Sequence, residues 1–415
     1  MMRAMIWLTI WVASLVLAFF VGRGQESSPP APVSPAPADM AAAARAALGQ
    51  GSPLARMGQS AAFLEHLDAQ NLEPVLDVYE MMLSGLGECD LRLFVDAWSD
   101  FDPRGAFDHT MSWDYSNKRV VGSDAAIRGW AIRNPIEARA AVPEIISENP
   151  RIQGRIIDNF LVGWAHSGQP GLDEYISDID TQAPEKYVAQ VLHATLRRGG
   201  PEAVFAWSDK VLQDPDYSYG LKRAAFRTGL RTSARWEPEA ASVWVAPYLG
   251  EEWADDGPRI MGDQWGKQDG LAAMEWVSRL PESEARESAV RAAFASWMKD
   301  DRENAEAWIL AQSLSPFHDP ALTFYARDLA ETDPITAIEL CGQIHDTKRR
   351  TGCLKKAAKN WYKTDALAAE GWLQESELDE EVRAQVRRPD QVRESRDGAG
   401  TQRSKRLGGP PVRRR

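Results

Sequence analysis

Apolar residues between Met274 and Ile309 recur at a helical spacing on both sides of a short polar turn. In order, these positions are Val290, Phe294, Trp297, Ala305, Trp308 and Ile309. A period of 3.6 residues places each set on one face of a helix. Asp301 precedes the second set and is a candidate N-cap, because its carboxylate can accept hydrogen bonds from the first backbone N–H groups of a helix. The stretch therefore predicts two helices joined by a tight turn.

The same unit recurs along most of the chain, with an anchor residue at the end of each first helix and a small residue early in the second. The nine anchors, spaced 32 to 37 positions apart, are Trp98, Trp130, Trp164, Leu196, Ser233, Trp265, Trp297, Leu329 and Trp361. A unit of two short helices cannot bury both apolar faces alone, so the copies must stack. The pattern predicts an all-α fold, a right-handed α-solenoid of about nine to ten helix-turn-helix repeats.

Most of the 16 tryptophans of the chain occupy the anchor position or one position on the second helix. They are Trp98, Trp130, Trp164, Trp207, Trp244, Trp265, Trp276, Trp297, Trp308, Trp361 and Trp372. Packing between neighbouring helices explains rings at such regular positions. Trp113, Trp236 and Trp253 lie off the repeat, so we interpret these three as candidate surface binding residues.

The N-terminal segment contains an uncharged run of 18 residues, Ala4 to Val21. As a helix, this run would span roughly 27 Å, close to the thickness of the hydrocarbon core of a bilayer. Its length favours a hydrophobic anchor helix over residues 1–21, a single-pass anchor in the cell membrane with the body outside the cytoplasm, in the periplasm. A signal segment that is cleaved, giving a secreted protein, is the alternative.

Four regions follow from composition. Residues 22–39 hold five prolines and predict an extended linker. Residues 40–388 predict the α-helical repeat domain, regular from about residue 93. Its last helix, 377–388 with Ser376 as N-cap, has acids in its first turn and arginines in its last, and is expected to cap the stack. Residues 389–415 predict a disordered basic tail, either functional or an accidental extension.

The net charge of −12 conceals an asymmetry along the chain. Residues 1–25 carry +2 and residues 389–415 carry +5, which leaves −19 for residues 26–388. A body of this charge should repel nucleic acid and favour a basic protein or peptide as its partner.

Three cysteines are too few for a disulfide framework. Cys341 and Cys353 flank a predicted turn between helices, where facing residues can come within bonding distance. In an exported body they are candidates for a disulfide. The alternative is that both are reduced and buried as small apolar residues.

The run NAEAWILAQ after Asp301 resembles the junction of tetratricopeptide repeats, in which an Asp-Pro turn leads into an Ala-Trp helix start. Asp333-Pro334 repeats that turn, and the period is close to the 34 residues of that family. The Leu-Gly and Tyr of the family are missing and Trp recurs on both helices, which is closer to the tetratricopeptide-like and Sel1-like repeats of exported bacterial proteins. The resemblance covers about residues 60–388 and implies a scaffold that presents a concave face to a protein or peptide.

Signals for chemistry are sparse. None of the six histidines has a partner at metal spacing, and no nucleophile elbow or phosphate loop occurs, so we expect no catalysis, cofactor or metal site. Three acidic pairs fall in turns or helix starts, Glu251-Glu252, Asp255-Asp256 and Asp300-Asp301. The main hypothesis is a membrane-tethered scaffold for protein or peptide binding. The alternative is a carbohydrate-binding or cell-wall-processing protein that uses the off-repeat tryptophans and these acidic pairs.

Overall fold

The computed structural model describes residues 39–179 and 184–388. Within these ranges the chain forms helices joined by turns and contains no strand, which confirms the prediction of an all-α fold. The predicted anchor, the linker up to residue 38 and the basic tail lie outside the described residues. Among the helices of the described part, none is both long enough and apolar enough to cross a bilayer.

The chain divides into two compact units, one ending at Leu172 and the other beginning at Asp173. The helices of the first unit are α1 (Met40–Leu48), α2 (Pro53–Leu64), α3 (Leu72–Met82), α4 (Glu88–Trp98), α5 (Pro103–Ser112), α6 (Ser116–Arg133), α7 (Pro135–Glu148) and α8 (Gln153–Ser167). From the boundary onward they are α9 (Leu172–Asp178), α10 (Pro184–Gln213), α11 (Tyr219–Ala234), α12 (Pro238–Val245), α13 (Gly257–Gly266), α14 (Gly270–Ser278), α15 (Glu284–Asp300), α16 (Arg302–Leu310), α17 (Asp319–Leu329), α18 (Pro334–Gly342), α19 (Thr347–Thr364), α20 (Ala366–Glu375) and α21 (Glu380–Arg387).

Each of the nine predicted turns lies between two helices or at a break within one helix. In six of these turns, a single capping residue contacts both helices. The backbone N–H of Asp301 donates to the carbonyl of the anchor Trp297 at 2.7 Å and completes α15. Its carboxylate then accepts the N–H of Asn304 and begins α16. Side chains with the same capping role are Asp102, Asn134, Asp269, Asp333 and Asp365. A single capping residue thus ends one helix and starts the next.

A glycine takes the place of the capping side chain at the turns after Trp164 and Leu196. Gly168 ends α8 in the left-handed conformation, with φ 68°, which accounts for the late start of the helix that follows Trp164. Gly200 also has φ 68° and breaks α10 into two helices next to Pro201. Both positions require a residue without a Cβ atom, since other residues rarely adopt this conformation.

Small residues allow close approach between neighbouring helices. The repeated alanines of the second helices are all buried, at 3% exposure or less: Ala106, Ala138, Ala241, Ala273, Ala305, Ala337 and Ala369. The backbone of α13 at Gly262 and Gly266 lies directly on α15, where an added Cβ would be 2.6 Å from the Ala289 carbonyl and 2.5 Å from that of Ala293. These contacts fix α13 and α15 as a tightly packed pair.

The last helix begins later than predicted. The N-cap of α21 is Asp379, whose carboxylate accepts the N–H of Val382 at 2.8 Å. Ser376 instead ends α20, and its hydroxyl donates to the carbonyl of Leu373. The prediction of Ser376 as N-cap is therefore wrong, because the Ser376 hydroxyl is bonded to the end of α20 and the Asp379 carboxylate caps α21.

Candidate functional site

The repeat tryptophans fall into two classes by burial. The first-helix anchors Trp98, Trp130, Trp164, Trp265 and Trp297 are buried, and Trp361 near the end of the chain is half-buried. The second-helix tryptophans are all half-buried: Trp207, Trp244, Trp276, Trp308 and Trp372. The buried anchors mainly pack against neighbouring helices, whereas the second-helix rings both pack and present part of their surface to solvent.

Within three repeats, the ring of the anchor lies beside the ring eleven positions later. The centroids are 6.3 Å apart for Trp265 and Trp276 and 5.7 Å apart for Trp297 and Trp308, with interplanar angles of 41° and 48°. Trp361 and Trp372 repeat this arrangement at 6.5 Å and 47°. In the first two pairs, the buried anchor ring supports the half-buried ring at the surface.

A cleft with a volume of about 440 Å³ lies beside the Trp297–Trp308 pair. The turn from α13 to α14, including Asp269, Gly270 and Leu271, lines it together with the two rings. Leu271 is 48% exposed, so the cleft has an accessible apolar side chain besides the indoles.

Carboxylates dominate the charge of this cleft. Asp269, Asp300 and Asp301 line it, against the single cation Lys267. Asp269 and Asp301 cap helices, and Lys267 is paired with Asp263 at 2.9 Å. Asp300 is exposed and has no hydrogen-bond or ion-pair partner among the described residues. The cleft therefore combines an aromatic wall with an available negative charge.

Asp263 fixes the helices behind the cleft. It accepts hydrogen bonds from Lys267 and from Ser296, both at 2.9 Å, and so joins α13 to α15. Burial raises the pKa of Asp263, but the hydrogen bonds from Lys267 and Ser296 outweigh burial and lower the pKa below its ordinary value. The carboxylate is thus held in its charged form, paired with Lys267.

Two of the three off-repeat tryptophans are not surface residues, so that expectation is wrong for Trp113 and Trp253. Trp113 is 4% exposed because Gly122 of α6 packs directly on its ring. Trp253 is 9% exposed and lies 5.5 Å from Phe226 in an aromatic cluster. Trp236 is 64% exposed and remains a candidate for binding.

Of the two acidic pairs near Trp253, Glu251-Glu252 is exposed, whereas Asp255-Asp256 is engaged by arginines. Asp256 forms ion pairs with Arg227 and Arg259, both at 3.2 Å, and Asp255 lies 3.8 Å from Arg223. Asp300-Asp301 lies in a different turn, beside tryptophans of the repeat. The off-repeat tryptophans and acidic pairs therefore do not form the exposed cluster that the carbohydrate hypothesis requires.

Cys341 and Cys353 form a disulfide that joins α18 to α19, and both residues are fully buried. Cys89, in contrast, is exposed and free. In the described part of the chain, no group of three His, Cys, Asp or Glu side chains is placed to hold a metal ion.

The sequence pattern does not show that the residues lining the cleft lie close together in the folded chain. Trp308 is assigned to packing and Asp300-Asp301 to helix capping, and each assignment is correct in part. The available signal is Gly270, which stands where the other second helices begin with Pro, Ala, Arg or Leu. No family model, curated protein or solved structure matches this chain.

Proposed function

We propose that this protein is a non-catalytic scaffold that binds a basic segment of a partner protein in the cleft beside Trp297 and Trp308. The observation that carries the proposal is the unpaired Asp300 next to a fixed aromatic wall. A Lys or Arg side chain can stack its charged group on an indole face and donate to a carboxylate at the same time. The charge of −19 on residues 26–388 attracts such a segment from a distance.

We further propose that the helix pairs of each unit are turns of a right-handed α-solenoid, which residues 4–21 hold at a membrane with the body in the periplasm. Support for the solenoid comes from the repeated helix pairs and the buried alanine that seven of them share. Support for the tether comes from the apolar run in the sequence. Extraction of the full-length chain from membranes only by detergent, with residues 1–21 retained in its intact mass, is the expected result. Release in salt, or a mass that lacks these residues, contradicts the anchor.

A direct test uses a labelled peptide with the sequence of residues 401–415, TQRSKRLGGPPVRRR, as a basic probe. Fluorescence anisotropy measures its binding to the full-length chain and to the variants Asp300→Asn and Trp308→Leu. We expect each variant to weaken binding by about three- to tenfold, since each removes one of the two groups that contact the cation.

Glu303→Gln is the matched control, because Glu303 is an exposed acid three residues from Asp300 and lies outside the cleft lining. It should change the affinity by less than about twofold. Equal losses for Glu303→Gln and Asp300→Asn would mean that the peptide senses only the overall charge, and the cleft would not be the binding site.

A further inference from the structure

A second surface of the C-terminal unit is lined mainly by positively charged residues, in contrast to the acidic cleft beside Trp308. It is a groove of about 370 Å³ formed by three consecutive first helices, α15, α17 and α19. Its lining residues are Arg291, Pro320, Thr323, Phe324, Arg327, Asp328, Glu331, Arg349 and Lys356. The groove shares no lining residue with the cleft beside Trp308, so it is a separate surface.

The middle helix forms the floor of the groove. Phe324 is half-buried there, and its ring is fixed by an edge contact with Phe294, 6.4 Å between centroids. Arg349 of α19 forms an ion pair with Glu287 of α15, so the two outer helices are joined across α17. These contacts make the floor and its walls a defined structure rather than a chance depression.

Four cations line the groove against two carboxylates. Arg349 is neutralised by Glu287, and Asp328 by Arg302 at 2.6 Å. Arg291, Arg327 and Lys356 have no hydrogen bond or ion pair with any described residue, and all three are exposed. Glu331, at one end, is the single carboxylate of the lining without such a partner. The groove therefore has an excess of available positive charge around an aromatic ring.

This excess of positive charge in the groove contrasts with the net charge of −19 on residues 26–388. We propose that this groove binds a short acidic segment of a partner protein, with Asp or Glu side chains on Arg291, Arg327 and Lys356 and an apolar side chain on Phe324. The proposal is independent of what occupies the cleft beside Trp308.

The lining favours a peptide over other anions for two reasons. A single phosphate or sulfate ion cannot cover the apolar floor of Phe324 and Pro320, whereas a peptide presents apolar and charged side chains together. A long polyanion such as a nucleic acid would extend beyond the groove onto the surrounding acidic surface, where like charges repel it.

The test uses a hexapeptide, Asp-Glu-Phe-Glu-Asp-Glu, with fluorescein at its N terminus and an amide at its C terminus, so that the ends of its backbone carry no charge. Its neutral analogue, Asn-Gln-Phe-Gln-Asn-Gln, carries the same label. We expect anisotropy to detect binding of the acidic peptide alone to the full-length chain, with an affinity that falls as salt rises. Arg291→Gln and Arg327→Gln should each weaken this binding by about two- to fivefold.

Lys348→Gln is the matched control for Lys356→Gln, since both lysines are exposed on α19, have no partner among the described residues, and only Lys356 lines the groove. Loss of binding with Lys356→Gln but not with Lys348→Gln supports the proposal. Equal losses with both variants, no binding of the acidic peptide, or displacement of the bound peptide by millimolar inorganic phosphate at constant ionic strength would each overturn it. Circular dichroism of each variant checks that the helices are intact.

Discussion

The indole of Trp297 packs directly against Gly270, at the first position of α14, and leaves no space for a Cβ atom there. The contact links a ring of one repeat to the turn of the preceding repeat. Both residues also line the acidic cleft. A residue without a side chain is therefore what lets this anchor ring approach the neighbouring turn.

Replacement of Gly270 by Ala should destabilise the protein by about 1 to 3 kcal/mol, because the added methyl group overlaps the indole of Trp297 and forces the turn to move. Urea unfolding followed by circular dichroism measures the loss. Gly371→Ala is the control: this glycine lies inside α20 with open space around it, and alanine should leave stability unchanged or raise it by up to about 1 kcal/mol. A neutral Gly270→Ala would show that Trp297 does not occupy this position.

Burial predicts comparable losses for Trp297→Ala and Trp113→Ala, about 3 to 5 kcal/mol each, although only the first is a repeat anchor. On the sequence pattern alone, Trp113 would cost much less, so urea unfolding of the two variants separates the two predictions. Trp236→Ala, at an exposed ring, should change the unfolding free energy by less than about 0.5 kcal/mol and serves as the control.

Loss of the disulfide should lower stability. Cys341 and Cys353 are 12 positions apart, and closing a loop of this size restricts the unfolded chain by about 3 kcal/mol. The double variant Cys341→Ser, Cys353→Ser should unfold at lower urea than the oxidised protein, and reductant should have little further effect on it. Cys89→Ser, at an exposed free thiol, should match the parent protein. An oxidised protein that is no more stable than the reduced one would contradict this expectation.

Asp173 should make stability depend on pH in the acid range. Burial raises its pKa, but hydrogen bonds from Lys210 and Tyr217, both at 2.7 Å, outweigh burial and lower the pKa below its ordinary value. A carboxyl whose pKa is lower in the folded state stabilises the protein above its unfolded pKa. This stability is lost as pH falls through the folded pKa.

Unfolding free energy measured from neutral to acid pH should therefore fall less steeply in Asp173→Asn than in the parent protein. Tyr217→Phe keeps the ion pair with Lys210 and removes one donor, so its slope should lie between the two. An unchanged slope in Asp173→Asn would rule out this source of pH dependence.

The sequence predicts the all-α class and the positions of the turns, because these depend on local signals. Each Asp or Asn at a turn caps a helix by itself, and the buried alanines follow from spacing alone. Whether a tryptophan outside the repeat is buried cannot be predicted from the neighbouring sequence. Trp113 and Trp253 have no repeat register, and their burial is decided by Gly122 and Phe226, which belong to other helices.

The candidate sites could be predicted only in part for the same reason. A basic groove on an acidic body is not visible in the net charge, because Arg291, Arg327 and Lys356 are far apart in sequence and meet only when three first helices pack. Their lack of partners is also a property of the folded chain. Composition alone therefore predicts a basic partner and misses the surface that suits an acidic one.

The neighbouring rings of Trp265 and Trp276, Trp297 and Trp308, and Trp361 and Trp372 also have a spectroscopic consequence. Indoles this close couple their electronic transitions, which gives a paired signal in the ultraviolet circular dichroism of the native protein. Removal of one tryptophan from a pair should delete the contribution of that pair alone. The C-terminal unit thus contains three built-in optical reporters, with which the opening of individual repeats can be followed without an attached dye.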